Sequence, residues 1–179
     1  RVGDALRDLA GPDPLGGLAD ADAARGEHRV AGEGAARGVD ADVVTEAELA
    51  AAHGSEDALV MAGGHATNVN TIGHLFGAKD LILHDELIHD SCIQGIKLSG
   101  AARRGFKHED MADLERQLKE LRRHYEKVLL LVEGVYSMDG DIADLPNLLP
   151  VAEKHGVGVL IDEVHSILCY GAHGRGVIE

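Results

Sequence analysis

Val159-Leu160-Ile161-Asp162-Glu163-Val164-His165 is the stretch whose reading decides the fold. The apolar run into Ile161 reads as a buried strand. An acid stands at its carboxyl end, with a histidine three residues on. In parallel α/β sheets ligands gather at the carboxyl ends of strands, so Asp162 and His165 stand where a ligand-facing pair belongs. A strand-end aspartate also caps helices, and spacing alone leaves that reading open.

Outward from this strand the chain alternates. Val128 to Val132 is a second continuous apolar run of buried-strand type, and Leu81 to Leu83 a third. Asp57 to Met61 reads as a further strand. Helices are expected between them: Gly63-Gly64 opening one that runs to Phe76, Ser91 to Leu98, Met111 to His124 with Leu114, Leu118 and Leu121 on one face, and Pro146 to His155. Thr45 with Glu48 three residues on is a capping box, and starts a short Ala-rich helix. Strands alternating with helices imply an α/β fold with a mostly parallel sheet flanked by helices.

The segment before residue 45 is different. Residues 1–44 are rich in Gly, Ala and Asp and lack periodic apolar pattern, and residues 1–60 hold 13 acids against 5 bases. This divergent segment is expected at the surface or partly disordered, ahead of a domain over 45–179. Gly32-Glu33-Gly34 with Gly38 only loosely mimics a dinucleotide fingerprint, since no strand precedes it.

Composition narrows the function. Hydrophobic residues make up 45% of the chain but aromatics only 3%, so Leu, Val, Ile and Ala must build the core. A net charge of −14 repels phosphate backbones and argues against nucleic acid as a partner. No run reaches the length of a membrane span, and no signal peptide is visible. Cys92 and Cys169 lie far apart without metal spacing and read as reduced thiols of a cytoplasmic protein.

Four constellations could carry chemistry. Gly63-Gly64-His65-Ala66-Thr67-Asn68 places two glycines at a strand–helix junction, where free N–H groups favour a phosphate; an ordinary glycine turn is the alternative. His84-Asp85-Glu86-Leu87-Ile88-His89 resembles a zinc motif, but its histidines are five apart and fall on different helix faces, so no metal site is expected. Glu133 to Asp141 carries Glu133, Ser137, Asp139 and Asp141 past a strand end, as a pocket wall or a solvated acidic turn. Asp162 with His165 is the fourth.

In sequence order, these motifs resemble the α-oxoamine synthase family of fold-type-I pyridoxal-phosphate enzymes, which includes serine palmitoyltransferase and amino-oxononanoate synthase. The resemblance runs from about Leu49 to Glu179. Val132 to Asp141 and Ile161 to Ser166 are its most specific segments, and Gly171 to Gly176 is similar to the family's glycine-rich continuation. The fold implied is a partial large domain of a fold-type-I PLP-dependent transferase.

The resemblance also implies roles. Gly64 and His65 match the pair near the phosphate of pyridoxal 5'-phosphate. His89 matches the catalytic imidazole stacked on the pyridine ring, which helps position the amino acid. Asp162 matches the carboxylate facing the pyridine nitrogen, His165 the partner of the phenolic oxygen, and Ser137 a further cofactor contact, with Glu133 supporting the same wall. The implied reaction condenses an amino acid with an acyl thioester to an α-oxoamine, with loss of carbon dioxide, in a homodimer.

Two departures stand out. The family's Schiff-base lysine lies later, in a Ser/Thr-x-x-Lys context, and none of Lys79, Lys97, Lys107, Lys119, Lys127 and Lys154 has that context. The chain as given is therefore expected to be an incomplete portion, inactive by itself. Gly38-Val39-Asp40-Ala41-Asp42 replaces a Gly-Ser-Arg loop, and Leu168-Cys169-Tyr170 is bulkier than usual. Another fold-type-I aminotransferase or lyase, or a lysine-less partner subunit, are the competing readings; His89 disfavours the first, because those relatives stack an aromatic ring there.

Overall fold

The computed structural model describes residues 45–179. The acidic segment before them, with its Gly32-Glu33-Gly34 stretch, lies outside the described residues. The first described element is helix α1 (Glu46–His53). Its capping box forms as expected: the Glu48 N–H donates to Thr45 Oγ1 at 3.3 Å, and the Thr45 N–H donates to Glu48 Oε2 at 2.8 Å.

The strand expected over Asp57 to Met61 does not form; the chain there is irregular. Its backbone groups are taken by side chains instead of a ladder. The Val60 N–H donates to Glu46 Oε1 at 2.7 Å, the Ala58 N–H to Asp57 Oδ1 at 2.8 Å, and Ser55 Oγ to the Asp57 carbonyl at 3.0 Å. Leu59 and Val60, neighbours in sequence, are both exposed, so no sheet face claims either. A short apolar run without a partner is not a strand.

The remaining elements alternate: α2 (Gly64–Leu75), β1 (Leu81–Asp85), α3 (Asp90–Ser99), β2 (Ala102–Phe106), α4 (Met111–Leu121), β3 (Val128–Glu133), α5 (Leu145–His155) and β4 (Gly158–Asp162), with a 3₁₀ turn at Arg122–His124. Strand β2 was not expected from sequence. Its Ala-Arg-Arg-Gly-Phe has no apolar alternation because it is an edge strand, exposed over Arg103 to Gly105, and charge on an edge blocks pairing with other chains.

The sheet runs β2-β1-β3-β4, with all pairs parallel. From β1 the chain moves outward to β2; from β3 it moves the opposite way to β4. The strand order thus reverses between β1 and β3, the switch point where parallel sheets leave a crevice at their carboxyl ends.

Period-two alternation splits the strand side chains between two cores. Leu81, Leu83, Val128, Leu130 and Val132 pack with Phe106 and with Leu114, Leu118, Leu145, Leu148 and Ala152 of α4 and α5. Ile82, Leu129 and Leu131 pack on the other face with Ile72 and Phe76 of α2 and its end, and Ile88, Cys92 and Ile96 of α3 and the turn before it. Each such aliphatic side chain, fully buried, contributes about 1.5–3 kcal/mol.

Candidate active site

Three strands end in buried acids: Asp85 on β1, Glu133 on β3 and Asp162 on β4. Glu133 and Asp162 are direct register partners, so the sheet itself sets them side by side. Taking carboxylates out of water costs free energy unless they are hydrogen-bonded. Asp85 is partnered by His108 and the Leu87 N–H, whereas Glu133 and Asp162 take partners from the face carrying α2 and α3.

Asp162 Oδ2 accepts from Asn68 Nδ2 of α2 at 2.7 Å, while Oδ1 accepts from the Val164 N–H at 3.0 Å. The helix-capping alternative for Asp162 is not met: no helix follows β4 among the described residues, and one oxygen closes a turn while the other faces α2. Asn68 Nδ2 also reaches Ser91 Oγ at 3.0 Å, and Ser91 Oγ lies 2.7 Å from His89 Nδ1. The His89 ring caps α3, accepting the Ser91 N–H at 3.2 Å. The His89 N–H, in turn, donates across the switch point to Glu133 Oε1 at 2.5 Å. One connected set of hydrogen bonds therefore joins the ends of β3 and β4 to α2 and α3.

Glu133 Oε2 is buried and accepts no hydrogen bond among the described residues; His165 Nδ1 lies 3.8 Å from it. Burial pushes the Glu133 carboxyl up from its ordinary range, the His89 N–H holds it back, and the negative charge of Asp162 adds to the rise. Beside them the Cys92 thiol is pushed up to about 12 by burial and by the Asp162 and Glu133 charges. A thiol so disposed is a packing group rather than a nucleophile.

Helix α2 begins at Gly64 with Gly63 before it, and no side chain caps its first turn. A Cβ on Gly63 would meet nothing within 4 Å, and one on Gly64 would meet only Val164 Cγ2, at 3.7 Å. The first N–H groups of a twelve-residue helix are thus open to an anionic group. His65 in that turn and Ser137 after β3 are exposed, and their side chains make no hydrogen bond among the described residues. His84 lies within β1, while His89 caps α3.

Of the residues singled out in the sequence, the structure ties His89, Glu133 and Asp162 into one network and sets His165 beside Glu133. Gly64 faces the loop that carries His165, since a Cβ placed on it would reach Val164 Cγ2 at 3.7 Å. The sequence reading assigned no role to Asn68 or Ser91, which join the rest. The signal for Asn68 was its position one turn after Gly64, on the same helix face. Ser91, two residues after His89, is where a cap partner stands.

Glu163 turns the opposite way from Asp162. Its carboxylate accepts Ser166 Oγ, the Val177 N–H at 3.1 Å and the Ile178 N–H at 2.8 Å, pinning the glycine-rich end of the chain under the turn after β4. Glu163 is therefore a structural acid, and Asp162 the one left facing the site.

A mostly parallel sheet with buried acids at its carboxyl ends, beside an open glycine-started helix, is the arrangement of a fold-type-I pyridoxal-phosphate transferase. The match to the family model for aminotransferase class I and II, over residues 18–178, shows that the chain belongs to that family. Within it the chain is similar to a putative 8-amino-7-oxononanoate synthase of Microcystis aeruginosa, 44% identical over 134 residues, 75% of this chain and 35% of that protein. Among solved structures it is similar to serine palmitoyltransferase of Sphingomonas wittichii, with TM-score 0.72 and 39% identity, covering 75% of this chain and 33% of that one. A serine palmitoyltransferase solved with PLP as internal aldimine superposes with TM-score 0.71 at 37% identity, over 75% of this chain and 33% of that one. The chain thus spans about a third of the length of the curated relatives it matches. Among the described residues no helix is long and apolar enough to cross a membrane.

Proposed function

We propose that this chain is the partial cofactor-binding domain of an α-oxoamine synthase, a PLP-dependent acyltransferase that condenses an amino acid with an acyl-CoA or acyl-carrier thioester and releases carbon dioxide. One observation carries the reading. A single helix, α2, offers an uncapped glycine N-terminus at Gly63-Gly64 and, one turn on, the Asn68 amide that holds Asp162 Oδ2 at 2.7 Å. The helix end that would accept a phosphate and the carboxylate that would face a ring nitrogen are both tied to this one element.

Pyridoxal phosphate, when bound, supplies the electron sink that stabilises negative charge at the Cα of the amino acid. Gly64 and His65 would hold its phosphate with the backbone of the first turn of α2. Asp162 would keep a proton on the ring nitrogen by a charge-assisted hydrogen bond. His165 and Ser137 would contact the far edge of the ring, and His89 would cover its face and orient the amino acid. Glu133, short of one partner at Oε2, would brace the wall between His89 and His165. A homodimer in the cytoplasm accompanies this reading; exposed Leu59, Val60 and Val164 are apolar side chains a second copy could cover.

The test uses the full-length gene product. Added PLP is expected to give a visible absorbance band that shifts with amino acid, and acyl-CoA is then expected to release carbon dioxide and free thiol. Asp162→Ala is expected to weaken cofactor retention at least tenfold. A protein that takes up no PLP overturns the reading. One that takes up PLP and transaminates without releasing thiol is an aminotransferase instead.

A further inference from the structure

We propose that Asn68 and Ser91 form a one-way hydrogen-bond relay that holds the His89 imidazole as its Nε2–H tautomer. They would then be positioning residues for His89. The donors can be counted from Asp162. An ionised carboxylate only accepts, so the Asn68 amide must turn its nitrogen toward Asp162 Oδ2, at 2.7 Å. The second N–H of the same nitrogen goes to Ser91 Oγ at 3.0 Å. Ser91 Oγ is thus an acceptor on that side, and its single proton remains for His89 Nδ1, at 2.7 Å.

The Ser91 backbone N–H, 3.2 Å away, aims at the same ring nitrogen. Two donors converging on Nδ1 require a lone pair there, and in a neutral imidazole the proton then sits on Nε2. Ser91 is fully buried, which leaves no solvent to take over either link. The relay begins at the carboxylate of β4 and ends in the ring that caps α3.

A consequence follows for the chemistry, and it rests on the function proposed above. His89 is exposed, so its Nε2–H is a donor at the open edge of the site. Such an edge holds an anionic or carbonyl oxygen of a ligand and takes no proton from one. His89 would therefore orient substrate rather than act as the base.

The tautomer is read without cofactor, by long-range proton–nitrogen correlation of the imidazoles in the full chain labelled with ¹⁵N-histidine, with His89→Gln identifying the His89 signals. The expected spectrum shows one tautomer, Nδ1 at the unprotonated position and Nε2 at the protonated one. Ser91→Ala, and Asn68→Asp, which offers Ser91 an acceptor in place of a donor, each withdraw the hydroxyl donor and leave only the residue-91 backbone N–H on Nδ1, and are expected to move Nδ1 part of the way toward the protonated position. A wild-type His89 protonated on Nδ1, or averaged between tautomers, overturns the proposal whether or not the variants fold. So do variants with native amide spectra and unmoved His89 signals. Because PLP uptake is not part of this readout, failure here and failure of the functional reading are separate results.

Discussion

The two faces of the sheet are built from the same strands by different rules. Against α4 and α5 the contact is mainly aliphatic: Leu114 and Leu118 from one helix and Leu145, Leu148 and Ala152 from the other meet Leu81, Leu83, Val128, Leu130 and Val132. Against α2 and α3 the apolar layer is thinner, and a polar seam of half-buried Asn68 with buried Ser91, Glu133 and Asp162 continues it toward the carboxyl edge. One face holds the sheet together; the other uses the sheet as a platform. The division shows that strand alternation assigns stability and chemistry to opposite sides of one backbone.

Neighbouring residues of β3 offer the sharpest way to break that division. Leu130 and Leu131 are both fully buried but face opposite ways. Truncation to alanine is expected to cost about 2–5 kcal/mol at either position, measured by urea unfolding. The local consequence should differ. Leu131→Ala is expected to shift the His89 imidazole nitrogens, whereas Leu130→Ala leaves them in place. Equal disturbance of His89 by both would mean that the faces are not independent.

The next effect concerns how close the two site helices lie. A Cβ on Gly95 of α3 would come within 2.8 Å of the Asn68 carbonyl oxygen and 2.9 Å of Ile72 Cβ. Neither neighbour is the free end of a flexible chain, so Gly95→Ala must push α2 and α3 apart. Overpacking of this kind costs about 1–3 kcal/mol. The Asn68-to-Ser91 hydrogen bond, which crosses the same gap, should weaken with it. A stable Gly95→Ala protein with unchanged His89 signals would show that the helices have slack that their packing does not suggest.

The same contrast explains what was legible in the sequence. Leu114, Leu118 and Leu121 recur at helical spacing, and Val128 to Val132 is an unbroken apolar run, so the aliphatic face announces itself through periodicity. The capping box at Thr45 is local chemistry and was equally plain. The polar seam was legible only in part. Resemblance singled out His89, Glu133 and Asp162, but Asn68 and Ser91 act through partners 94 and 23 residues apart in sequence, and no window holds both ends of such a bond. Strand β2 was missed because an exposed edge needs no apolar pattern. Asp57 to Met61 misled because an apolar run says nothing about whether a neighbouring strand exists to pair with it.

At His108 the platform edge and the aliphatic face meet, and it supplies the smallest expected effect. It follows β2, and its Nδ1 lies 3.0 Å from both oxygens of buried Asp85 at the end of β1. Its Nε2 stands 3.4 Å from Asp141 Oδ2, in the loop that carries Ser137, and its ring meets Tyr136 edge-on with centroids 4.6 Å apart. Burial pulls the imidazole pKa down, but the Asp85 hydrogen bond and charge, with Asp141 and Glu109, outweigh it and leave the value raised above the ordinary 6.5. A raised histidine value means that the folded state binds the proton more tightly than the unfolded chain does. The stabilisation is therefore complete below about pH 6.5 and is lost as pH rises through the folded value. Urea midpoints measured across that window should fall for the native protein and fall less for His108→Gln. The variant should also speed amide exchange between Tyr136 and Asp141, since it unfastens that loop from β1, while α2 and α3 stay protected. If exchange in α2 and α3 rises equally, the two faces share one cooperative unit at this edge, and the division drawn above ends at His108.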